Sequence, residues 1–400
     1  MNANLKPEAQ DAAQAAPVRF EEREGAYGRI GIATLDAPAT LNGLSLEMAQ
    51  RLDAQLRRWA DDPTLAMVWL QGAGEKAFCA GGDLHGLYRG MREQQARGRW
   101  GGDDFADPRG NVHAEAFFET EYRLDYRIHS FPKPLLCWGH GIVMGGGIGL
   151  MAGASHRVVS ERSKLAFPEI TVGLYPDVGG SWLLARVPGR AGLFLALTGA
   201  PLNAGDAIRA GLADHYLPEA ARSAALDAAL AAPWSFDAAR DRATLTVLLQ
   251  SLAEPAPAGP LQQHAEAVAA LCAGDSLEAI VARIEAIDSD DAWLQNARTT
   301  LAAGAPGSAR LGFELQRRAA SVSLAETFRM EYWVSLHCAA HGDFAEGIRA
   351  LLIDKDRAPR WNPATLAQAD AHWAAAFFHV PEPARPHPLA DLGAATEPRA

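Results

Sequence analysis

"HGIVMGGGIGLMAG" occupies residues 140–153, with three glycines in a row at 145–147 and a fourth at 149. An apolar run of strand length leads into it, and a run that reads as helical follows. The spacing excludes the usual reasons for so bare a backbone. GxGxxG fails, because the sixth position from Gly139 is Met144 and from Gly145 is Leu150. No GK marks a P-loop, no HExxH marks a zinc site, and Ser181 sits in "GGSWL" rather than GxSxG. What remains is an amide that must itself be reached. A helix starting near Gly146 leaves its first N–H groups without internal acceptors, at its positive end. Such an amide can bond an oxygen that gains negative charge, and glycine lets that oxygen come close. Tight helix–sheet packing would use the same glycines, so this stretch alone leaves both readings open.

"FCAGGD" (78–83) strengthens the first reading. It follows the strand-like "AMVWLQG" (66–72) and again leaves small residues, Gly81 and Gly82, with open amides. Two amides converging on one oxygen make an oxyanion hole, often the largest single contribution to catalysis. Asp83 reads first as the cap of the following helix and second as a site residue. Cys79 lies in an apolar run with no evident base and reads as an inert buried thiol.

Strand-like runs at 27–36, 66–72, 134–143 and 156–161 alternate with helical ones, 45–62 being the clearest, with Ser45 at its cap. Past residue 215 the pattern is almost wholly helical. The expected organisation is a loose leader (1–17), an α/β core (18–215), a helical region (216–378) and a loose Pro- and Ala-rich tail (379–400). With 37 Lys+Arg against 48 Asp+Glu the net charge is -11, which argues against a nucleic-acid partner. Four widely spaced cysteines suggest neither zinc nor a disulfide framework. No apolar run reaches a membrane span, and the N-terminus has neither a signal-peptide core nor Arg enrichment, so a cytoplasmic location is expected.

Four stretches together are recognisable: "KAFCAGGD", "GHGIVMGGGIGL", "FPEITVGLYPDVGG" (167–180) and "LTGAPLNAGDAIRAGLADHYLP". They resemble the crotonase (enoyl-CoA hydratase/isomerase) superfamily. "FFETEY" (117–122), "MEY" (330–332) and "FAEGIRALLIDKDRAPRWNP" (344–363) are similar to its 3-hydroxyisobutyryl-CoA hydrolase branch. The resemblance spans about residues 20–370 and implies a crotonase-like spiral of ββα units followed by an all-helical C-terminal region. It implies that the amides of Gly82 and Gly146, flanked by Gly81 and Gly145, hold a thioester carbonyl. Hydratases of the superfamily use two glutamates. The position of one is Gly149 here; the other matches Glu169. Asp177 is an added acid where hydratases often carry glycine, and Glu121 is a third.

This set suits hydrolysis. Glu169 attacks or activates water, Asp177 positions or donates a proton, and Glu121 binds a substrate hydroxyl; Asp83 is a further candidate contact. The expected substrate is a short branched 3-hydroxyacyl-CoA, with coenzyme A part of the substrate and no cofactor, metal, nucleic-acid or membrane partner; a homo-oligomer is compatible. Arg89, Arg92, Arg97 and Arg99 could meet the coenzyme A phosphates or form a solvated face. Two rivals stand beside this reading: another crotonase reaction, and a non-catalytic acyl-CoA-binding protein.

Overall fold

The computed structural model describes residues 16–97, 108–381 and 386–394. Nine strands fall into two sheets: β1 (Val18–Gly25), β2 (Gly28–Leu35), β3 (Leu65–Gly72), β4 (Ala77–Cys79), β5 (Leu135–Gly139), β6 (Ile142–Met144), β7 (His156–Val159), β8 (Lys164–Ala166) and β9 (His215–Tyr216). The larger sheet runs β1-β2-β3-β5-β7-β9 and the smaller β4-β6-β8. Among the strand pairs of the described residues only β1–β2 is antiparallel. Each turn of the chain gives one strand to each sheet, β3 then β4, β5 then β6, β7 then β8, before a crossover. The result is the expected spiral of ββα units.

The run 134–143, expected as one strand, is two. The chain leaves the large sheet after Gly139 and enters the small one at Ile142. Gly141 makes the corner at φ +58, where a β-carbon would stand 2.3 Å from the Lys76 carbonyl oxygen. Periodicity cannot see this break, because both halves are apolar.

Four helices matter for the site: α1 (Leu46–Asp61), α2 (Leu84–Ala96), α3 (Val112–His129) and α4 (Gly146–Ala152). Ser45 caps α1 by accepting the Met48 N–H at 3.1 Å, and Met48, Leu52, Leu56 and Trp59 face the core. Burying four such side chains contributes on the order of 1.5–3 kcal/mol each. The later helices share this core: Leu261, Val268, Ile280 and Leu301 pack in the same cluster as Leu35, Val68 and Leu135 of the strands. A second cluster joins Phe117, Phe118 and Tyr122 of α3 to Phe328 and Leu336 of the helix Leu324–His341.

The tail 379–400, expected loose, is docked over 386–394. Leu389 and Leu392 are buried in the second cluster. Arg123 of α3 holds Asp391 at 2.6 Å, and Arg329 donates to the Leu392 carbonyl at 2.9 Å. Proline and alanine dominate the composition there, yet two leucines three residues apart give it an apolar face. The leader through residue 15 and the remainder of the tail beyond 394 lie outside the described residues.

Candidate active site

The small sheet sets the site. Its parallel register puts Cys79 beside Val143, and Met144 beside Ala166. The chain segments leaving β4, β6 and β8 therefore emerge side by side, and these are Ala80–Gly82, Gly145–Gly146 and Phe167–Glu169. Three motifs far apart in sequence meet because three short strands end together.

At the first exit, Leu44 bridges to the turn through the Gly81 carbonyl (2.8 Å) and the Asp83 N–H (3.0 Å), which leaves the Gly82 N–H outside the pairing. At the second, Gly145 takes φ +49, ψ -124 and precedes α4, whose first residue, Gly146, has no intrahelical acceptor for its N–H. A β-carbon on Gly146 would stand 3.4 Å from the Gly82 nitrogen and 2.4 Å from Glu121 Oε1. The two amides are thus neighbours, and a side chain at 146 would have to displace the Glu121 carboxyl. A β-carbon on Gly145 would lie 3.2 Å from Glu169 Oε1, which places the third exit against the second.

Gly81, Gly82, Gly145, Gly146, Glu121, Glu169 and Asp177 all line one cavity of about 710 Å³. Asp83 and His85 also line it. Asp83 caps α2, its Oδ1 accepting the Gly86 N–H at 2.9 Å. Arg89, Arg92 and Arg97 are not among the lining residues, and Arg99 lies outside the described residues. Cys79 is fully buried and its thiol is pushed up to about 12 by burial, so it is no nucleophile at neutral pH. His140 is buried with Nε2 3.0 Å from the Gly74 carbonyl oxygen, a packing role.

The carboxylates form one buried cluster. Glu121, Glu169 and Asp177 expose 2%, 5% and 5% of their surface. Asp125, fully buried one helical turn after Glu121, joins them, and neither of its oxygens has a partner in the structure. Burial, then mutual repulsion with Asp177, raises Glu121, Asp125 and Glu169 well above the usual carboxylate range. Asp177 rises least, to about 6, because the Tyr122 hydroxyl donates to its Oδ2 at 2.7 Å and opposes the burial. Asp177 is therefore the acid that ionises first, and burial, with the charge of Asp177 added, keeps the others protonated. Glu169 Oε2 has no partner in the structure.

Two further groups shape this side, and sequence reasoning assigned them no role. Glu331, on the helix Leu324–His341, accepts the N–H groups of Gly179 (2.7 Å) and Ser181 (3.1 Å). It thereby pins the turn that carries Asp177, in which Val178 is held at φ 54, a left-handed conformation costly for a β-branched residue. Asp125 sits over Gly149, where a β-carbon would stand 2.6 Å from Asp125 Oδ2. The same seam repeats above and below: Glu121 over Gly146, and His129 over Gly153. So the glycines of α4 and the one that caps it also make room for a row of titratable side chains on α3. The i, i+4 spacing of Glu121 and Asp125 was the available signal for the second acid.

Among the described residues no group of three or more His, Cys, Asp or Glu could hold a metal ion, and no helix is long and apolar enough to cross a membrane.

Comparison with known proteins identifies the family. The family model described as enoyl-CoA hydratase/isomerase matches residues 30–378. The 3-hydroxyisobutyryl-CoA hydrolase, mitochondrial, of Danio rerio is 38% identical over 347 residues, covering 85% of this chain and 84% of that protein. The Homo sapiens protein of the same name is 34% identical over 342 residues, with 85% and 84% coverage. Among solved structures, a carnitinyl-CoA dehydratase from Mycobacterium thermoresistibile has a TM-score of 0.78 at 34% identity, covering 92% of this chain and 97% of that one. An enoyl-CoA hydratase from Rhodobacter sphaeroides has a TM-score of 0.75 at 36% identity, with 91% and 97% coverage.

Proposed function

The chain belongs to the enoyl-CoA hydratase/isomerase family, and within it we propose that this protein is a thioester hydrolase that splits 3-hydroxyisobutyryl-CoA into 3-hydroxyisobutyrate and coenzyme A. The observation that carries this reading is the meeting of two open amides, Gly82 and Gly146, with a buried carboxyl, Glu169, whose Oε2 has no partner, in the same cavity. The curated relatives named as hydrolases of this thioester support the substrate. That reaction belongs to valine breakdown, in which this thioester is an intermediate.

The thioester oxygen sits between the two amides, which stabilise the charge it gains on attack. At rest Asp177 holds the negative charge and Glu169 its proton. When substrate displaces water, a proton passes from Glu169 to Asp177. Glu169 then attacks the carbonyl carbon, directly or by taking a proton from water. The tetrahedral intermediate collapses, the carbon–sulfur bond breaks, and Asp177 returns its proton to the leaving sulfur. On the direct route the acyl group is then joined to Glu169 as an anhydride, which water cleaves to free the product acid and Glu169; on the other route the water has already supplied the oxygen of the product acid. A single turnover in ¹⁸O water separates the two routes, since direct attack can leave label in Glu169. Glu121, kept protonated by burial, both donates to and accepts from the substrate 3-hydroxyl. No metal or cofactor takes part; coenzyme A belongs to the substrate.

Hydration or dehydration is the second reading, favoured by the names of the two solved structures. It needs a group to deliver a proton to carbon. Gly149 offers none, and Asp125, which fills the space beside it, is not among the residues lining the cavity. Thiol release across a panel of acyl-CoAs tests the proposal: 3-hydroxyacyl chains should turn over fastest, and no release from any member would overturn it. We also propose a cytoplasmic location. The relatives above are named mitochondrial, and recovery of a tagged chain in the mitochondrial fraction would overturn it.

A further inference from the structure

Behind Asp177 the polar groups stand in a line. Tyr122 Oη lies 2.7 Å from Asp177 Oδ2 and 2.7 Å from Ser335 Oγ. Ser335 Oγ lies 2.7 Å from Tyr175 Oη, which in turn lies 2.9 Å from the Glu331 carbonyl oxygen. Tyr122, Tyr175 and Ser335 have no exposed surface. Each hydroxyl has a single proton, so the line has a direction. With Asp177 ionised, Tyr122 donates to it, Ser335 donates to Tyr122, and Tyr175 donates to Ser335. With Asp177 protonated, every arrow can turn round: Asp177 donates to Tyr122, Tyr122 to Ser335, Ser335 to Tyr175, and Tyr175 to the Glu331 carbonyl. No hydroxyl proton is left without an acceptor in either direction, which is what a buried site requires.

We propose that Tyr122, Ser335 and Tyr175 are positioning residues for the reaction, forming a hydrogen-bond chain whose direction reverses as Asp177 gives up and regains its proton. Reversal needs rotation of the hydroxyl hydrogens about their C–O bonds and a half-turn of the Asp177 carboxyl that brings its protonated oxygen to Tyr122. No proton travels along the chain, so Asp177 exchanges its own proton on the cavity side. The chain rests on the role given to Asp177 above and explains how one buried carboxyl can serve as both acceptor and donor.

The groups facing Asp177 are Glu121, Tyr122 and Asp125 from α3, Glu169 from the turn after β8, Tyr175 from its own loop, and Glu331 and Cys338 from the helix Leu324–His341. All are neutral or acidic. The Tyr122 hydroxyl, together with a backbone hydrogen bond, is what holds Asp177 below the acids around it.

The test is an infrared titration of the protonated-carboxyl band, assigned to Asp177 by its loss in Asp177→Asn. In the wild type the midpoint should fall near about 6. Tyr122→Phe keeps the ring and removes the hydroxyl, and should raise the midpoint by about one to two pH units. Ser335→Ala should raise it by less, and Ser335→Thr should restore it. The acid limb of kcat should move with the midpoint while KM changes little. An unmoved midpoint in a folded Tyr122→Phe would overturn the chain; should that variant not fold, an unmoved midpoint in Ser335→Ala would do so. A shifted midpoint in a protein that releases no thiol would leave the chain standing and overturn the proposed function instead.

Discussion

The two walls of the cavity are made of different material. The wall that receives the carbonyl oxygen is backbone: the amides of Gly82 and Gly146, set by three strand ends of one small sheet. The wall that carries the charge is side chain: Glu121 from α3, Glu169 and Asp177 from the loop after β8, with Glu331 and Ser335 of a much later helix behind them. The first wall is rigid, neutral and encoded in contiguous motifs. The second gathers buried acids whose charge states depend on one another. A backbone wall fails when something fills it. A side-chain wall fails when its proton count is wrong.

The charged wall should give the largest single effect. Glu169→Gln keeps the size of the side chain and removes the attacking group. It should lower kcat by roughly 10²–10⁴, with KM little changed. Asp177→Asn should also lower kcat, and the double variant should lose less than the product of the two, because both act on one step. Steady-state kinetics on one 3-hydroxyacyl-CoA reads all three.

The backbone wall breaks differently. In Gly146→Ala the new methyl would stand 2.4 Å from Glu121 Oε1 and 3.4 Å from the Gly82 nitrogen. The amide N–H remains, but the methyl takes up space beside it that the thioester oxygen needs, so turnover should fall by about 10²–10³, as when an oxyanion donor is lost. A variant as active as wild type would remove these amides from the mechanism.

Glu121→Ala sharpens the contrast within the charged wall. If Glu121 binds the 3-hydroxyl, kcat/KM should fall by roughly tenfold to a hundredfold more for the 3-hydroxyacyl-CoA than for the unsubstituted acyl-CoA. Equal losses would assign Glu121 to packing alone.

The smallest expected effect is on stability. Burial raises the Asp177 carboxyl to about 6, so the stability it contributes is full below its unfolded value and is lost as pH rises through about 6. At pH 8 the native protein therefore carries a penalty that Asp177→Asn removes. Denaturant unfolding should show the variant more stable there by on the order of 2 kcal/mol, and level with wild type near pH 3.5.

The same contrast marks what could be read from the chain. Gly82 and Gly146 lie in short motifs whose chemistry is local, so the open amides were legible in "FCAGGD" and "VMGGGIG". That Glu169 and Asp177 share the cavity with those amides was legible only through the resemblance. Asp125 was not, because burial alone turns an ordinary helical aspartate into part of the cluster, and burial depends on what α4 packs against it. Tyr122 and Ser335 stand 213 positions apart, and nothing local links them. The corner at Gly141 was hidden between two apolar runs, and the docked tail by its composition.

One assay bears most directly on the claim that this cavity hydrolyses a thioester: incubation of 3-hydroxyisobutyryl-CoA with the wild-type protein while free thiol and enoyl absorbance are followed in the same sample. Two amides facing a single attacking carboxyl, with glycine at 149, predict that thiol appears in step with substrate loss and that no enoyl absorbance develops. Enoyl absorbance rising without thiol would contradict the account, because it would mean that the site removes water from the acyl chain and leaves the thioester whole.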